Sequence, residues 1–227
     1  MNTVSIHAWG LFALFCPAEL RADPYSEDVI TPSAAKGLLR AIYWKPEFEY
    51  EITQIVVFNP IQRTTADGYA LKRANTTEGA SPQAKSVLVD VEYGIEARIV
   101  VNPHRSRRSA ESYQIEAERR MRKGEMFRPP CFGRAEYPAS YEWSDPETWY
   151  GISESRDLGP MLLDQVMVDP GRPEDRGFSA TFEPVYWPLK MVHGVIRIPE
   201  GAYGSIRERH FQMRARVHPH KTEGDRA

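Results

Sequence analysis

Strand-like and helix-like segments alternate along the first part of the chain in an order that few folds can accommodate. Apolar and polar residues alternate over residues 3–9, which predicts a strand. Thr31, followed by a proline and an apolar series at helical spacing, predicts a capped helix that runs to about Trp44. The β-branched and aromatic residues of 48–58 predict a second strand. The chain therefore begins as strand, helix, strand.

The same three kinds of segment then follow in a second half. Residues 87–101 are strand-like almost throughout, and residues 110–123 form a charged helical segment that Gly124 closes as a C-terminal cap. Another extended stretch ends near Tyr141. The order strand, helix, strand, strand, helix, strand is the ferredoxin-like (RRM-like) pattern, so residues 1–143 are predicted to form such a domain.

The remaining residues predict an α+β protein with a small β appendage. Short strand candidates separated by turns predict a C-terminal antiparallel sheet within residues 144–210, and the last segment lacks apolar periodicity and predicts a flexible tail over 211–227. A polar stretch without periodicity predicts a mobile loop between strands over residues 64–83. The three C-terminal strand candidates are 161–168, 177–186 and 191–198.

Composition excludes several classes of protein. The chain is 41% hydrophobic and 26% charged, as expected of a globular protein. Two cysteines are too few for a disulfide framework, which favours a reducing cytoplasm. The first cation is Arg21 and the apolar run 9–16 is short, so we expect neither a signal peptide nor a membrane anchor. Scattered histidines and the lack of a Gly-rich phosphate loop predict that no metal or other cofactor is used.

Positive charge is concentrated in one segment of a chain whose net charge is −2. Residues 98–134 contain ten Lys and Arg against four Glu, a local excess of six positive charges. Such an asymmetry is what a groove for a polyanion requires. The alternative is a solvated helix face in which Glu116 pairs with Arg120 and Glu118 with Arg122.

Two short motifs in these regions are candidate functional sites. The stretch 102–108 has almost no acids to pair with its cations, so Arg105, Arg107 and Arg108 are the first candidates for phosphate contact. Tyr43 lies at the end of the first helix beside an indole and an ammonium, although an aromatic residue there is as often part of the core.

Several segments together resemble the CRISPR-associated fifth Cas family, in its type I-C (Dvulg) subtype, of the repeat-associated RNA-binding superfamily. The resemblance spans most of the chain, and its motifs are specific in their combined order. They are Trp9-Gly10, the run from Asp28 to Leu39, Ile42-Tyr43-Trp44-Lys45-Pro46, Pro130-Cys131-Phe132-Gly133-Arg134, Pro138-Ala139-Ser140-Tyr141, and the run from Asp157 to Asp164.

The resemblance implies an endoribonuclease that recognises the repeat hairpin of a CRISPR precursor transcript (pre-crRNA). Cleavage is expected to be metal-independent, with the adjacent 2′-hydroxyl as nucleophile. The product guide RNA (crRNA) is expected to stay bound by its 5′ handle. The expected partners are this RNA and the large and backbone subunits of the type I-C surveillance complex, with duplex DNA as a further candidate.

The resemblance also implies particular site residues. The family's catalytic set is a Tyr after the first helix, which Tyr43 matches, and a Lys-His pair at the start of the second helix. Glu111 and Ser112 stand at the places of that pair. Three explanations stay open: His104 or the nearby arginines substitute, the placement is shifted by several residues, or the protein is a catalytically weak scaffold. The predicted RNA-binding residues are Lys36, Arg40, Lys45, Arg105, Arg107, Arg108, Arg119, Arg120, Lys123 and Arg134.

Overall fold

Three helices pack against an eight-stranded antiparallel sheet in the structure, a computed structural model that describes residues 2–16, 25–66, 85–169 and 180–217. The predicted α+β class is confirmed. The elements are β1 (Thr3–Ala13), α1 (Pro32–Ile42), β2 (Phe48–Val57), β3 (Gln62–Ala66), β4 (Lys85–Val101), α2 (Ala110–Lys123), β5 (Ser140–Trp143), β6 (Arg156–Asp169), β7 (Thr181–Val192), β8 (Val195–Arg197) and α3 (Gly204–Val217).

One sheet runs through the whole described chain. Its strand order is β5-β1-β4-β2-β8-β7-β6, and β3 pairs with β4 beside this path. Strands β6 and β7 form at 161–168 and in the described part of 177–186, whereas the predicted strand 191–198 is divided into the end of β7, a turn and β8. These strands extend the main sheet because β8 pairs with β2, with Ile55 opposite Ile196. The joining strand β8 is only three residues long, which is why its pairing was not visible in the sequence.

The bounds of helices α1 and α2 follow from local capping interactions. The Thr31 hydroxyl accepts a hydrogen bond from the Ala34 N–H at 3.2 Å, which caps α1 as predicted. This helix ends two residues earlier than predicted, because Tyr43 has an extended backbone while its N–H still bonds to Leu39. Helix α2 has the predicted bounds, and Gly124 closes it in the left-handed conformation.

Parts of the predicted loop 64–83 and of the predicted tail 211–227 form regular secondary structure. Residues 211–217 continue α3, whereas we expected the tail to begin at Phe211. Residues 64–66 belong to β3, and the rest of the expected loop lies outside the described residues, as does 218–227. In the part of the chain that the structure describes, no helix is both long enough and apolar enough to cross a membrane.

A buried ion cluster joins α1 to the sheet and to α3. Lys36 is only 3% exposed, and its ammonium lies 2.9 Å from Glu49 of β2 and 2.6 Å from Asp164 of β6. The Nε2 atom of His210 in α3 lies 3.0 Å from the same Asp164 oxygen. Removing one member of such a cluster leaves an uncompensated buried charge, which typically costs about 3–5 kcal/mol. The cluster therefore fixes α1 relative to both parts of the sheet.

The cluster predicts a specific loss of stability in mild acid. Burial lowers the pKa of His210, as do Lys36 and Arg40 beside it, and Asp164 only partly opposes them. The unfolded chain then binds a proton more readily than the folded protein as the pH falls below about 6.5. We expect His210→Gln, which keeps a donor to Asp164, to reduce the loss of unfolding free energy between pH 7 and 5 in urea titrations. An equal loss in both proteins would contradict this.

Candidate functional site

Phe48, at the start of β2, is the centre of an aromatic cluster between the ends of α1 and α2. Its ring centroid lies 5.6 Å from that of Tyr43 and 5.1 Å from that of Tyr113 in α2. The Arg120 guanidinium lies over the Tyr43 ring, 5.2 Å from the centroid. Tyr43 is thus held by an apolar ring and a cation. The cluster brings the predicted catalytic tyrosine to the side of the predicted basic helix.

The Tyr43 hydroxyl is buried and finds no hydrogen-bond partner among the described residues. The residue is 3% exposed. A buried hydroxyl without a partner calls for an explanation, because such groups are usually satisfied. Burial raises the pKa of Tyr43, and the nearby Glu116 carboxylate adds to this, while Arg108 and Arg120 oppose it. The phenol therefore keeps its proton at neutral pH and can act as a donor.

The segment 102–108 is a turn that is fixed by hydrogen bonds to Asn102 and Tyr113. Asn102 is completely buried, and its side-chain oxygen accepts the His104 N–H at 3.0 Å. Its carbonyl oxygen accepts the N–H groups of Arg105 and Ser106. Ser106 in turn lies 2.8 Å from the Tyr113 hydroxyl. This turn is anchored to the aromatic cluster while it presents its cations outward.

The cations of this turn differ in what they contact. Arg107 and Arg108 are exposed, and the Arg108 guanidinium lies 4.7 Å from the centroid of the Tyr113 ring. Arg105 is half-buried. His104 is exposed, which makes its imidazole accessible. Among the described residues no carboxylate pairs with Arg107 or Arg108, so both can bind phosphates.

Along α2 about half of the positive charge is already paired. Glu116 binds both Arg119 and Arg120, at 3.0 and 2.9 Å, and this lowers the pKa of its carboxyl to about 2. Arg119 also binds Glu125. Arg122 instead lies over the Trp143 ring at 3.4 Å, in place of the pair with Glu118 that the sequence suggested. Around Glu116, α2 therefore has the solvated face with paired charges that was the alternative to a polyanion groove.

The turn 124–128 that follows α2 lies against the C-terminus of α1. The Phe127 N–H donates to the carbonyl oxygens of Ala41 and Ile42, and the Arg128 N–H donates to that of Ala41. The Tyr141 hydroxyl donates to the carbonyl oxygen of Glu125 at 2.8 Å. These contacts place exposed cations and apolar groups beside Tyr43. The exposed side chains are Lys123, Met126, Phe127 and Arg128.

Some of the predicted RNA-binding residues do not belong to this surface. Lys36 is buried in the ion cluster, and Arg40 donates to both oxygens of Glu49, at 2.9 and 2.6 Å. A phosphate would have to displace these carboxylates, so Lys36 and Arg40 are not part of the basic surface formed by the turn 102–108 and α2. Arg134 lies 3.6 Å from the sulfur of Cys16, on a cleft beside the start of α1. Lys45 is half-buried, two residues after Tyr43.

Glu111 and Ser112, the two residues that stand where the resemblance places a Lys-His pair, lie in the first turn of α2. Glu111 is exposed in the first turn, and the Ser112 hydroxyl lies 3.1 Å from that of the capping Ser109. Within residues 2–16, 25–66, 85–169 and 180–217, no group of three His, Cys, Asp or Glu side chains is arranged to hold a metal ion.

Several residues that build the site were not predicted from the sequence. Asn102 and Ser106 shape the turn, Tyr113 anchors it, and the N–H of Phe127 bonds to the carbonyl oxygens of the two residues before Tyr43. The polar residues could have been noticed, because Asn and Ser often bond to the backbone two residues on. Nothing in the sequence distinguishes Phe127 from a core aromatic residue.

Comparison with known proteins identifies the family of this chain. A family model described as "CRISPR-associated protein (Cas_Cas5)" matches residues 3–199. A protein of Thermus thermophilus named CRISPR pre-crRNA endoribonuclease Cas5d is 34% identical over 220 residues, which are 91% of this chain and 95% of the relative. A protein of the same name from Mannheimia succiniciproducens is 33% identical over 226 residues, covering 87% and 95% of the two chains.

Solved structures share the fold. A functionally uncharacterized protein from Streptococcus mutans superposes with a TM-score of 0.64 at 23% identity and covers 87% of this chain and 92% of its own. A structure titled as a CRISPR-associated protein gives a TM-score of 0.60 at 24% identity, with 87% and 91% covered. From the family match over most of its length and its two curated relatives, the chain belongs to the Cas5d family of CRISPR-associated proteins.

Proposed function

We propose that this protein cleaves CRISPR precursor RNA, the activity that the names of its two curated relatives give for those proteins, and that it does so at the repeat hairpin. The observation that carries the proposal is the hydroxyl of Tyr43, which is buried, has no hydrogen-bond partner among the described residues and lies beside exposed arginines. A proton donor next to phosphate-binding cations is what RNA cleavage by a neighbouring 2′-hydroxyl requires.

The proposed reaction forms one bond to phosphorus and breaks one. The 2′-oxygen attacks the adjacent phosphorus while a base takes its proton, the bond to the 5′-oxygen breaks, and the products are a 2′,3′-cyclic phosphate and a 5′-hydroxyl. Because its pKa is raised, the Tyr43 phenol stays protonated at neutral pH, and its hydroxyl can give the proton that the leaving 5′-oxygen needs. Arg108 and Arg120, both beside Tyr43, offset the charge that develops on the phosphate.

We further propose that RNA binds along α2 and not on the open face of the sheet. RRM-type domains bind RNA through aromatic residues on that face. Here His7 of β1 lies between the carboxylates of Glu92 and Glu142, and Trp149 covers Gly94. The acids would repel phosphates. The sheet order β5-β1-β4-β2, with α1 and α2 in the connections, supports the predicted ferredoxin-like core beneath this surface.

After cleavage the protein is proposed to keep the 5′ handle of the guide RNA and to join the large and backbone subunits of a type I-C surveillance complex. A second candidate is a scaffold that binds the handle without cutting RNA. The exposed Glu111 at the place of an expected lysine favours this second function, because it adds negative charge where a catalytic cation is expected.

A cleavage assay separates the two functions. We expect a synthetic repeat RNA to be cut once in the presence of EDTA, as seen on a denaturing gel, with a cyclic phosphate at the new 3′ end. Tyr43→Phe should slow this cut by about a hundredfold or more, since one proton donor is lost. RNA affinity and folding should stay unchanged, because the hydroxyl has no partner among the described residues. Bound but uncut RNA with the wild-type protein would support the scaffold instead.

The role of His104 has its own test. If this exposed histidine replaces the expected pair as the base, His104→Ala should reduce the cleavage rate by about a hundredfold. His193→Ala, another histidine in an exposed turn, is the control. Robust cleavage by the His104 variant would leave Tyr43 and the arginines as the catalytic groups.

The basic turn predicts the salt dependence of binding. Replacing Arg105, Arg107 and Arg108 by Ala should weaken RNA binding and reduce the slope of log affinity against log salt by about two to three, since each phosphate contact contributes about 0.7–0.9. A control triple variant removes the same charge from β7, β8 and α3, at Lys190, Arg197 and Arg209. Equal slopes in the two variants would show that RNA binds elsewhere.

A further inference from the structure

We propose that Phe127 is a base-stacking residue, which receives an unpaired nucleobase of the RNA next to the cleavage site. This inference rests on the proposed function and adds a contact to it. Phe127 is 78% exposed, far more than a phenylalanine that contributes to a core. Exposing a large aromatic ring to water has no benefit for folding, so the ring is available to a ligand.

The backbone that carries this ring is fixed. The Phe127 N–H bonds to two carbonyl oxygens at the C-terminus of α1, at 2.9 and 3.2 Å. Glu125, two residues earlier, is held by Arg119 through its carboxylate and by Tyr141 through its carbonyl oxygen. A ring on a rigid turn loses little conformational freedom when a base stacks on it.

The charge around the ring selects the ligand. Arg128 follows it directly, and Arg122 and Lys123 close the preceding helix; within the described residues none of the three is paired with a carboxylate. An exposed aromatic residue among cations is how proteins hold single-stranded nucleic acid, with the rings stacked on bases and the cations at phosphates. Tyr150 is 84% exposed but lies between Glu147 and Glu154, where the acids would repel RNA.

The position of the ring determines which nucleotide it receives. Phe127 is hydrogen-bonded to Ala41 and Ile42, the two residues that precede Tyr43. A base stacked there is adjacent to the phosphate that Tyr43 is proposed to act on. In-line attack requires the 2′-oxygen, the phosphorus and the leaving oxygen to align, and a regular A-form helix holds them out of line. An unstacked base beside the cut frees the backbone to adopt the reactive geometry.

The test uses repeat RNAs in which 2-aminopurine replaces each unpaired base in turn. The nucleotide before the mapped cut carries a 2′-deoxyribose, so that the RNA is bound but not cleaved. Stacking on an aromatic ring quenches 2-aminopurine fluorescence. The proteins compared are wild type, Phe127→Ala, Phe127→Leu, Phe127→Trp and, as the matched control, Tyr150→Ala.

We expect wild type, Phe127→Trp and Tyr150→Ala to quench the probe at one or two positions next to the cut. Phe127→Ala and Phe127→Leu should lose that quenching and bind about 5- to 150-fold more weakly, the range for one stacked base. Leucine separates stacking from simple apolar contact. Wild-type quenching and affinity in Phe127→Ala would overturn the stacking proposal alone. Failure of the wild-type protein to bind repeat RNA at all would instead overturn the proposed function.

Discussion

The position of α1 depends on the burial of one ammonium group, that of Lys36. A buried charge is tolerated only with matched counter-charges, and here they come from two distant parts of the chain, Glu49 and Asp164. Burial alone would raise the pKa of Asp164, but Lys36, His210 and Arg40 together hold it well below its usual value. Because the cluster joins β2, β6 and α3 to one helix, the C-terminal strands are integral to the place where α1 ends.

At the C-terminal end of α1, the proposed site must exclude water from a proton donor and must also be open to phosphates. A proton donor works best when water is excluded, whereas phosphates must be met at the surface. Tyr43 satisfies the first requirement as the buried C-cap residue of α1. Arg107 and Arg128 satisfy the second, on turns that are tied to the same aromatic cluster and to the same helix end. The proposed cleavage then requires the RNA backbone to approach the aromatic cluster closely.

The sequence was sufficient to predict most elements and the segment that carries the site. Helix α2 could be predicted to the residue because its capping serine and its closing glycine are local signals. The pairing of β8 with β2, by contrast, joins strands about 140 residues apart, and no local pattern encodes it. The burial of Lys36 was not predicted for the same reason, since one of its partners, Asp164, lies 128 residues away in the sequence. A lysine at helical spacing looks like a solvated surface residue until Asp164 is seen beside it.

The start of α2 shows how helix formation and catalysis compete for the same positions. The N-terminus of a helix carries partial positive charge, so Glu111 in the first turn stabilises the helix. A lysine or histidine there would be disfavoured in its charged form, which is useful for a base but costs helix stability. This chain has the stable choice: Ser109 caps, Ser112 bonds to the cap, and Glu111 complements the dipole. None of these side chains is the lysine or histidine that the resemblance implies at these positions. In the proposed reaction, the groups that transfer protons therefore lie outside the helix, at Tyr43 before it and in the turn that leads into it.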